Sequence, residues 1–575
     1  MNIYKIHVED RNYSTWAVYD ATTMELLSSD EFKFNPINEK LINGDIFNII
    51  NDKPKVIHST IKKLKHISGV LVLTKNKSYG KFKNKMLYRC VPDDKRLPEF
   101  IIPFKPQLKF KKKMINRYIT FKFLHWNRKH PMGQIQENIG EVNKLSNFYE
   151  YQMYCKSLYA SIANMKEKAK KMLRIHDEEW YINKIMLENN NIEDRTTPEN
   201  YWDNIITIDS RGSKDLDDAL SYSKLNDNEY IISIYISNVS FWFDALDLWD
   251  SFTNRIATIY LPDRKRPMLP TILSDNISSL LEKKKRFAFT CDLIVDAETF
   301  KIKSTYFTNC LIQVNKNFYH KTEELKNSDY MNTFKYITKK MNKASKYIDS
   351  IVNTPDLVAY YMVLMNYLCA IKMKMHKNGI YRFTNLNNEY KAPTQAPEDV
   401  QKFLRIWHSM GGQYCKYENV KEHEMLKLES YLHITSPNRR LVDMINMILL
   451  QDMVNLIDLN ENSKNFCNRW ITDESIDYIN KTMRSIRKVQ NDCSILSKCN
   501  IDQTLKTRTL DGYIFDKLLR NDKLFQYIVY LPELKMTNRL TSTKDLDNLN
   551  MYKFKIYIFM DEVRLKQKIR LLLVE

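Results

Sequence analysis

The sequence predicts an α+β multidomain protein in which a central mixed α/β domain is flanked by small β-barrels, and three observations predict it. Short β-rich runs separated by polar turns occupy both ends of the chain. Between them, apolar residues recur first at strand spacing and then, over long stretches, at helical spacing. Inside this centre, Ile206–Leu220 (ITIDSRGSKDLDDAL) places Asp209, Asp215, Asp217 and Asp218 within ten residues of a chain whose formal net charge is +20.

A chain of 575 residues with 43% hydrophobic content is long enough for roughly three to five domains with sizeable cores. No window approaches the ~20 uninterrupted apolar residues of a membrane span, and the start MNIYKIHVEDRNY lacks the apolar centre of a signal peptide. The nine cysteines are scattered, with no C-x-x-C pair and no histidine at zinc spacing. These features disfavour membrane, secreted disulfide-rich and zinc-finger classes and point to a reducing, cytoplasmic setting. The charge suggests a polyanionic partner, because each Lys or Arg placed on a phosphate releases counterions. Abundant Lys, Asn and Ile with scarce Gly also fit an AT-rich genome, so charge alone is weak evidence.

Taken in order, residues 1–85 alternate β-rich runs (Tyr13–Tyr19, Val56–Ile61, Gly69–Leu73) with turns and read as a first small barrel. Residues 86–150 read as a second barrel. Across this boundary runs a basic stretch with interleaved rings, including Tyr79, Lys109, Lys111 and Lys112, of the kind that suits single-stranded nucleic acid. For any one of these residues a solvated edge over a core ring is an equal alternative. Residues 151–200 carry Tyr151, Leu158, Ile162, Met165, Ala169 and Met172 at helical spacing and form a helical linker. Residues 201–500 begin with strands at Ile205–Ile208, Tyr230–Val239, Phe287–Val295 and Thr305–Val314, with a proline-bracketed loop over Ile256–Pro270. Long helices follow at Tyr330–Val352, Asp356–His376 and Ala396–Trp407, then one through Leu456 and one over Asp473–Lys488. Residues 501–575 return to short strands, a third barrel.

The four acids sit at a strand end and on the loop leaving it. Like charges at this density persist in a fold only if protonated or shared around a cation, and carboxylates without nearby Cys or His favour Mg²⁺ or Mn²⁺ over zinc. The pattern alone leaves a solvated acidic turn equally open. It does not match an EF-hand, which needs alternating ligands, a central Gly and a closing Glu.

ITIDSRGSKDLDDAL resembles the Ile-Asp-x5-Asp-x-Asp-Asp-Ala motif of the RNase II/RNase R (RNB) exoribonucleases. The resemblance continues through ATIYLPDRKRPMLP, LSDNISSL, Arg286 in KRFAFTCD, and HITSPNRRLVD, in the same order over about 240 residues. VPDDKRLPEF and HPMGQIQENIGEV are similar to the second cold-shock-type barrel of the eukaryotic exosome-type members, and VYLPELKM with KIRLLLV to their closing OB-type barrel. An endonucleolytic PIN domain is not expected, since barrel-like sequence begins near residue 13.

The resemblance implies a central RNB catalytic domain flanked by two cold-shock-type OB barrels and one C-terminal OB-type barrel. It implies a processive 3′-to-5′ exoribonuclease that releases nucleoside 5′-monophosphates from single-stranded RNA, with Mg²⁺ as cofactor and Mn²⁺ as a substitute. Asp209 and Asp218 would hold one ion, Asp215 and Asp217 the other, with Asp217 the most activity-critical acid. Arg439 matches the active-site arginine, Arg440 is its neighbour with a secondary RNA-binding role, and Tyr260 matches the tyrosine that stacks near the RNA 3′ end. The implied form is a monomer able to join a larger RNA-processing complex, cytoplasmic, or in a viral factory or virion if a virus encodes it.

Several positions depart from the family pattern: Asn238 stands for an aspartate, Leu441 for an aromatic, Met447–Ile448 for His-Arg, and Ala359 and Tyr360 for two glutamates. They keep a second reading open, a catalytically silent RNA-binding scaffold on the same fold. A DNA nuclease, with the same metal logic, is disfavoured by the resemblance alone.

Overall fold

The structure, a computed structural model, describes residues 2–28, 32–74, 77–106, 114–197, 204–385, 396–408 and 410–574. The architecture is α+β and multidomain, and the chain divides into two compact units.

The first unit comprises Met1–Tyr159, Leu261–Asp263 and Arg487–Glu575. Its N-terminal sheet holds four antiparallel strands, Tyr4–Val8, Trp16–Asp20, Ile46–Ile50 and Lys53–His58, in the order second, first, third, fourth. A second sheet uses Ile67–Leu71, Lys81–Phe82, Lys85–Pro92, Phe100–Phe104, Arg117–His125 and Met132–Glu141. Strand Ile67–Leu71 pairs with both Arg117–His125 and Lys85–Pro92, which closes this sheet on itself as a barrel. Closure brings backbones together at Gly69, where a Cβ would lie 2.8 Å from the Cys90 sulfur. The first strand of this sheet, Ile67–Leu71, precedes the stretch 86–150 read as the second barrel. The C-terminal sheet orders Met536–Ser542, Phe525–Leu531, Leu510–Leu519, Met551–Met560 and Gln567–Val574 around a core that includes Ile514, Tyr527, Val529, Phe554 and Leu571.

The second unit, Ala160–Tyr260 with Arg264–Ile486, is built on a seven-stranded mixed sheet. From one edge to the other run Ile192–Arg195, Ile302–Gln313, Lys285–Asp296, Glu229–Ser237, Asp218–Asn226, Ile206–Asp209 and Lys316–Tyr319. The outer pairings at both edges are parallel and the inner ones antiparallel. Strand Lys285–Asp296 is buried along nearly its whole length, as its apolar run Phe287–Val295 requires of a central strand covered on both faces. An ion pair buried in this sheet, Arg195 to Asp292 with bonds of 3.1 and 2.6 Å, keeps both charges matched away from water.

The helical half contains Asp329–Ala344, Thr354–Met375, Glu398–His408, Leu441–Met453, Glu461–Trp470 and the start, through Ile486, of the long helix Asp473–Ile501. Asn353 and Asp356 form a reciprocal capping box at the start of Thr354–Met375. Leu441–Met453 is buried from Leu441 through Gln451, and its buried Asn446 is satisfied by the backbone of Ile380 and His433. That helix is thereby fixed, and its N-terminal residues carry the arginines of the SPNRR stretch.

Candidate active site

Strand pairing collects the acids. Ile206–Asp209 and Asp218–Asn226 are antiparallel neighbours, with Ile206 opposite Leu220, so Asp209 ends one strand where Asp218 starts the next. The loop between them turns at Gly212, whose φ of +88° a side chain would strain, and Ser213 donates its N–H to the Ser210 carbonyl at 3.0 Å. Its far limb is pinned by Ser279, whose Oγ donates to the Lys214 carbonyl (2.7 Å) and accepts from the Leu216 N–H (3.0 Å). The Ser279 carbonyl accepts in turn from Arg286 Nε at 2.7 Å, and Arg286 also binds Glu178 at 2.5 Å. Arg286, a motif residue in the sequence, thus acts through the loop that carries the acids.

Asp217 is buried. One carboxylate oxygen accepts the Asn438 N–H at 3.1 Å and the other accepts Arg439 Nε at 2.8 Å. Arg439 is placed by the backbone: its carbonyl accepts the Thr258 N–H at 2.9 Å, and Leu441 donates to the Ile256 carbonyl at 2.9 Å. Its bond to Asp217 uses Nε alone, and the side chain is 41% exposed. Burial works against this charge, but Asp217 outweighs it and holds the Arg439 pKa above its ordinary value.

Asp215 is held by a different cation. Lys265 Nζ donates to it at 2.8 Å and to Asp275 at 3.0 Å, and the Tyr260 hydroxyl donates to it at 3.3 Å. Tyr260 and Lys265 face each other on the two-stranded ribbon Ile259–Tyr260 and Lys265–Arg266, whose register fixes both toward Asp215. Burial and the nearby Asp215 push the Tyr260 hydroxyl up to about 12, so it stays a donor at neutral pH. Tyr260 remains 44% exposed, which leaves room for a base to stack on it.

Among the described residues, neither Asp209 nor Asp218 forms an ion pair of this kind. One Asp209 oxygen is buried without a hydrogen bond. Burial first, then mutual repulsion among Asp209, Asp217 and Asp218, raises the pKa of both Asp209 and Asp218 well above the carboxylate range. Asp217 is pushed up to about 6 by burial, against the pull of Arg439. Among the described residues no group of three or more His, Cys, Asp or Glu is arranged as a metal site. The donor set still fits one hard divalent cation at Asp209 and Asp218: two half-buried carboxylates, a buried Asp209 oxygen without a hydrogen bond, and charge repulsion that such an ion relieves. The second expected pair differs, because Asp215 and Asp217 already carry the Lys265 ammonium and the Arg439 guanidinium.

The structure brings Asp209, Asp215, Asp217, Asp218, Tyr260 and Arg439 together in one unit. Arg440 turns inward: its Nη2 donates to Asp443 at 2.8 Å and its Nη1 lies 3.4 Å from His433 Nδ1, which makes it a brace beneath the site. Tyr79 belongs to the other unit, where it is 40% exposed with Lys77 Nζ 5.5 Å from its ring centroid. Lys109, Lys111 and Lys112 lie outside the described residues. Lys265, Asp275, Asn438 and Ser279 were not singled out from the sequence. All four lie within recognised motif stretches, and the one local signal was a lysine and an aspartate in loops otherwise rich in proline and serine.

Residues 199–351 match the RNB domain family and residues 87–150 match the Dis3-like cold-shock domain 2. Among curated proteins, Ribonuclease R of Ureaplasma parvum is 44% identical over 95 residues, which cover 16% of this chain and 13% of that protein. Ribonuclease R of Mycoplasmopsis pulmonis is 27% identical over 202 residues, 34% of this chain and 27% of the relative. The matched stretches thus span about a quarter or less of these relatives. Among solved structures, Mycoplasma genitalium RNase R in complex with ribose methylated single-stranded RNA superposes with a TM-score of 0.70 at 14% identity, covering 99% of this chain and all of that one. Yeast Ssd1, a pseudonuclease, gives 0.58 at 15% identity, covering 96% and 80%. These likenesses show an RNase R-like arrangement of an RNB fold with cold-shock and OB barrels.

Proposed function

We propose that the chain is a divalent-metal-dependent 3′-to-5′ exoribonuclease that removes nucleoside 5′-monophosphates processively from single-stranded RNA. The observation that supports it most is the Asp217–Arg439 pair beside the unpaired acids Asp209 and Asp218. Hydrolysis breaks the bond between phosphorus and the 3′-oxygen of the penultimate nucleotide while water adds to phosphorus, and negative charge builds on the nonbridging oxygens. Arg439, oriented through Nε by Asp217, presents its remaining N–H groups to those oxygens, where an arginine fork is worth most as charge develops. Asp209 and Asp218 would hold Mg²⁺ or Mn²⁺, which supplies charge neutralisation and a more acidic water when bound. Tyr260 stacks on a base near the 3′ end, and Lys265 holds Asp215 in place through its 2.8 Å bond. The barrels supply the surface that holds the strand.

A second reading, a silent RNA-binding scaffold, is favoured by one observation: two of the four acids are already neutralised by basic side chains. Incubating the protein with 5′-labelled single-stranded RNA, its DNA analogue and a 3′-tailed duplex, with Mg²⁺ or EDTA, decides between them. Metal-dependent shortening of RNA that Asp217→Asn abolishes supports the nuclease. Tight binding of RNA that stays intact supports the scaffold, and equal shortening of DNA removes the RNA specificity.

A further inference from the structure

Within the first unit lies a cavity of about 220 Å³ that the nuclease reading does not use. Its wall carries Lys156 just past helix Leu145–Cys155, Lys488 and Asp492 one turn apart on helix Asp473–Ile501, and Arg564, Lys566 and Lys568 from the turn and last strand of the C-terminal sheet. Two of these cations have carboxylates of their own outside the wall. Lys566, nearly buried, binds Asp93 at 2.6 Å, and Lys568 pairs with Asp561.

Of the other three, Lys156 and Lys488 lie within electrostatic reach of Asp492, which Lys566 and Arg539 reach as well. Asp94, the acid within electrostatic reach of Arg564, is already engaged by Arg96 at 2.9 Å. Asp492 is itself largely buried, and burial raises its pKa. Burial, Lys156, Arg539 and Arg564 together depress the Lys488 ammonium below its ordinary value. A partly enclosed site with this excess of positive charge favours an anion. The turn that delivers Arg564 is rigid, since Asp561 accepts the N–H groups of both Val563 and Arg564 at 2.8 Å, so the charges are held together by construction. The cavity is smaller than the roughly 300–1,000 Å³ of a typical small-molecule pocket, which suits a phosphoryl group better than a stretch of strand.

We propose that this cavity binds a phosphate dianion, either inorganic phosphate or the phosphoryl terminus of a nucleotide, through Lys156, Lys488 and Arg564. The inference does not rest on the ribonuclease reading.

Thermal unfolding of the full chain, followed with phosphate, AMP or chloride at matched ionic strength, tests it in an Arg439→Ala background that removes the active-site arginine. Phosphate is expected to raise the midpoint beyond chloride. Lys488→Met and Arg564→Gln should each weaken the apparent affinity on the order of tenfold or more, the loss of one charge-assisted contact. Asp492→Asn should tighten it, a gain that misfolding cannot imitate. Protection by AMP equal to that by phosphate supports the proposal with a nucleotide terminus as ligand, and protection by phosphate alone supports it with the free ion. The proposal is overturned if phosphate and chloride act alike. It is equally overturned if the phosphate effect in that background survives both Lys488→Met and Arg564→Gln unchanged, or if RNA lacking a terminal phosphate competes as well as phosphate does.

Discussion

Asp217 and Arg439 are two halves of one device, and their substitution should separate chemistry from folding. In Asp217→Asn the Asn438 N–H keeps an acceptor while the charge that orients Arg439 is lost. Activity on RNA should fall on the order of 10²–10³-fold, as when one preorganised transition-state donor is removed. Arg439→Lys should fall comparably, since an ammonium cannot bind both Asp217 and a phosphate in a planar fork. The same carboxylate sets a pH dependence. Asp217 titrates near 6 in the folded chain, above the roughly 4 of an unfolded aspartate, so the folded state holds the proton between these values. Its contribution to stability is complete below about pH 4 and is lost as pH rises through about 6. The metal-free thermal midpoint of the unaltered protein should therefore fall relative to Asp217→Asn across that window, and Mg²⁺ should raise the midpoint more at pH 8 than at pH 5. Equal Mg²⁺ shifts at both values would contradict acids that must lose protons to bind it. Lys265 gives a third readout at this scale. It occupies Asp215, so one Mn²⁺ should bind in a paramagnetic titration of the unaltered protein, and Lys265→Met should admit a second; two ions without the substitution would show that the ammonium moves aside.

Among the elements, what the sequence made legible was periodicity, and what it hid was pairing. The acid-bearing strand Ile206–Asp209, the strand Glu229–Ser237 two places along the sheet and the buried Lys285–Asp296 were all visible as β-branched or apolar runs. The partner of Ile67–Leu71 was not, because alternation records which face is buried and not which strand lies alongside. Helix Asp473–Ile501 runs a dozen or so residues past its expected end at Lys488, since Cys493, Leu496 and Cys499 continue the buried face and no Gly or Pro stops it. The family departure at Asn238 also becomes physical at this scale. Its amide donates to Gln451 at 2.7 Å and Asn309 at 3.1 Å, and its oxygen accepts from Ser240, so a neutral group is matched to neutral neighbours where an aspartate would meet no cation. The Arg286–Ser279 link was carried by motif letters whose contacts sequence does not display. Ser279→Ala removes both bonds that pin Lys214 and Leu216 and should cost about 1–3 kcal/mol. If the loop positions the acids, kcat should fall while KM is nearly kept; a change confined to thermal stability would make Ser279 purely structural.

At the scale of the whole molecule, the charge of +20 and the acidic centre make opposite demands that divide cleanly between binding and chemistry. Binding of a single strand to a basic surface is driven by released counterions, with log K falling by about 0.7 per log unit of salt for each phosphate neutralised. A strand held along several lysines and arginines should therefore show a slope of about −3 or steeper. On the proposed reading the acids add nothing to that term, because a cation held by Asp209 and Asp218 would act locally and Asp217 already carries Arg439. Asp217→Asn should accordingly bind a non-cleavable RNA with the same slope and nearly the same affinity as the unaltered protein while leaving a cleavable one intact. Filter binding over a salt series, with cleavage followed in parallel, reads both quantities from one preparation. A flat salt response would mean that the positive charge reflects composition and not an RNA surface. An unaltered protein that binds with the steep slope yet never shortens RNA in Mg²⁺ or Mn²⁺ would leave the RNB fold here as a holder of RNA, with Lys265 and Arg439 neutralising acids that no longer take a metal.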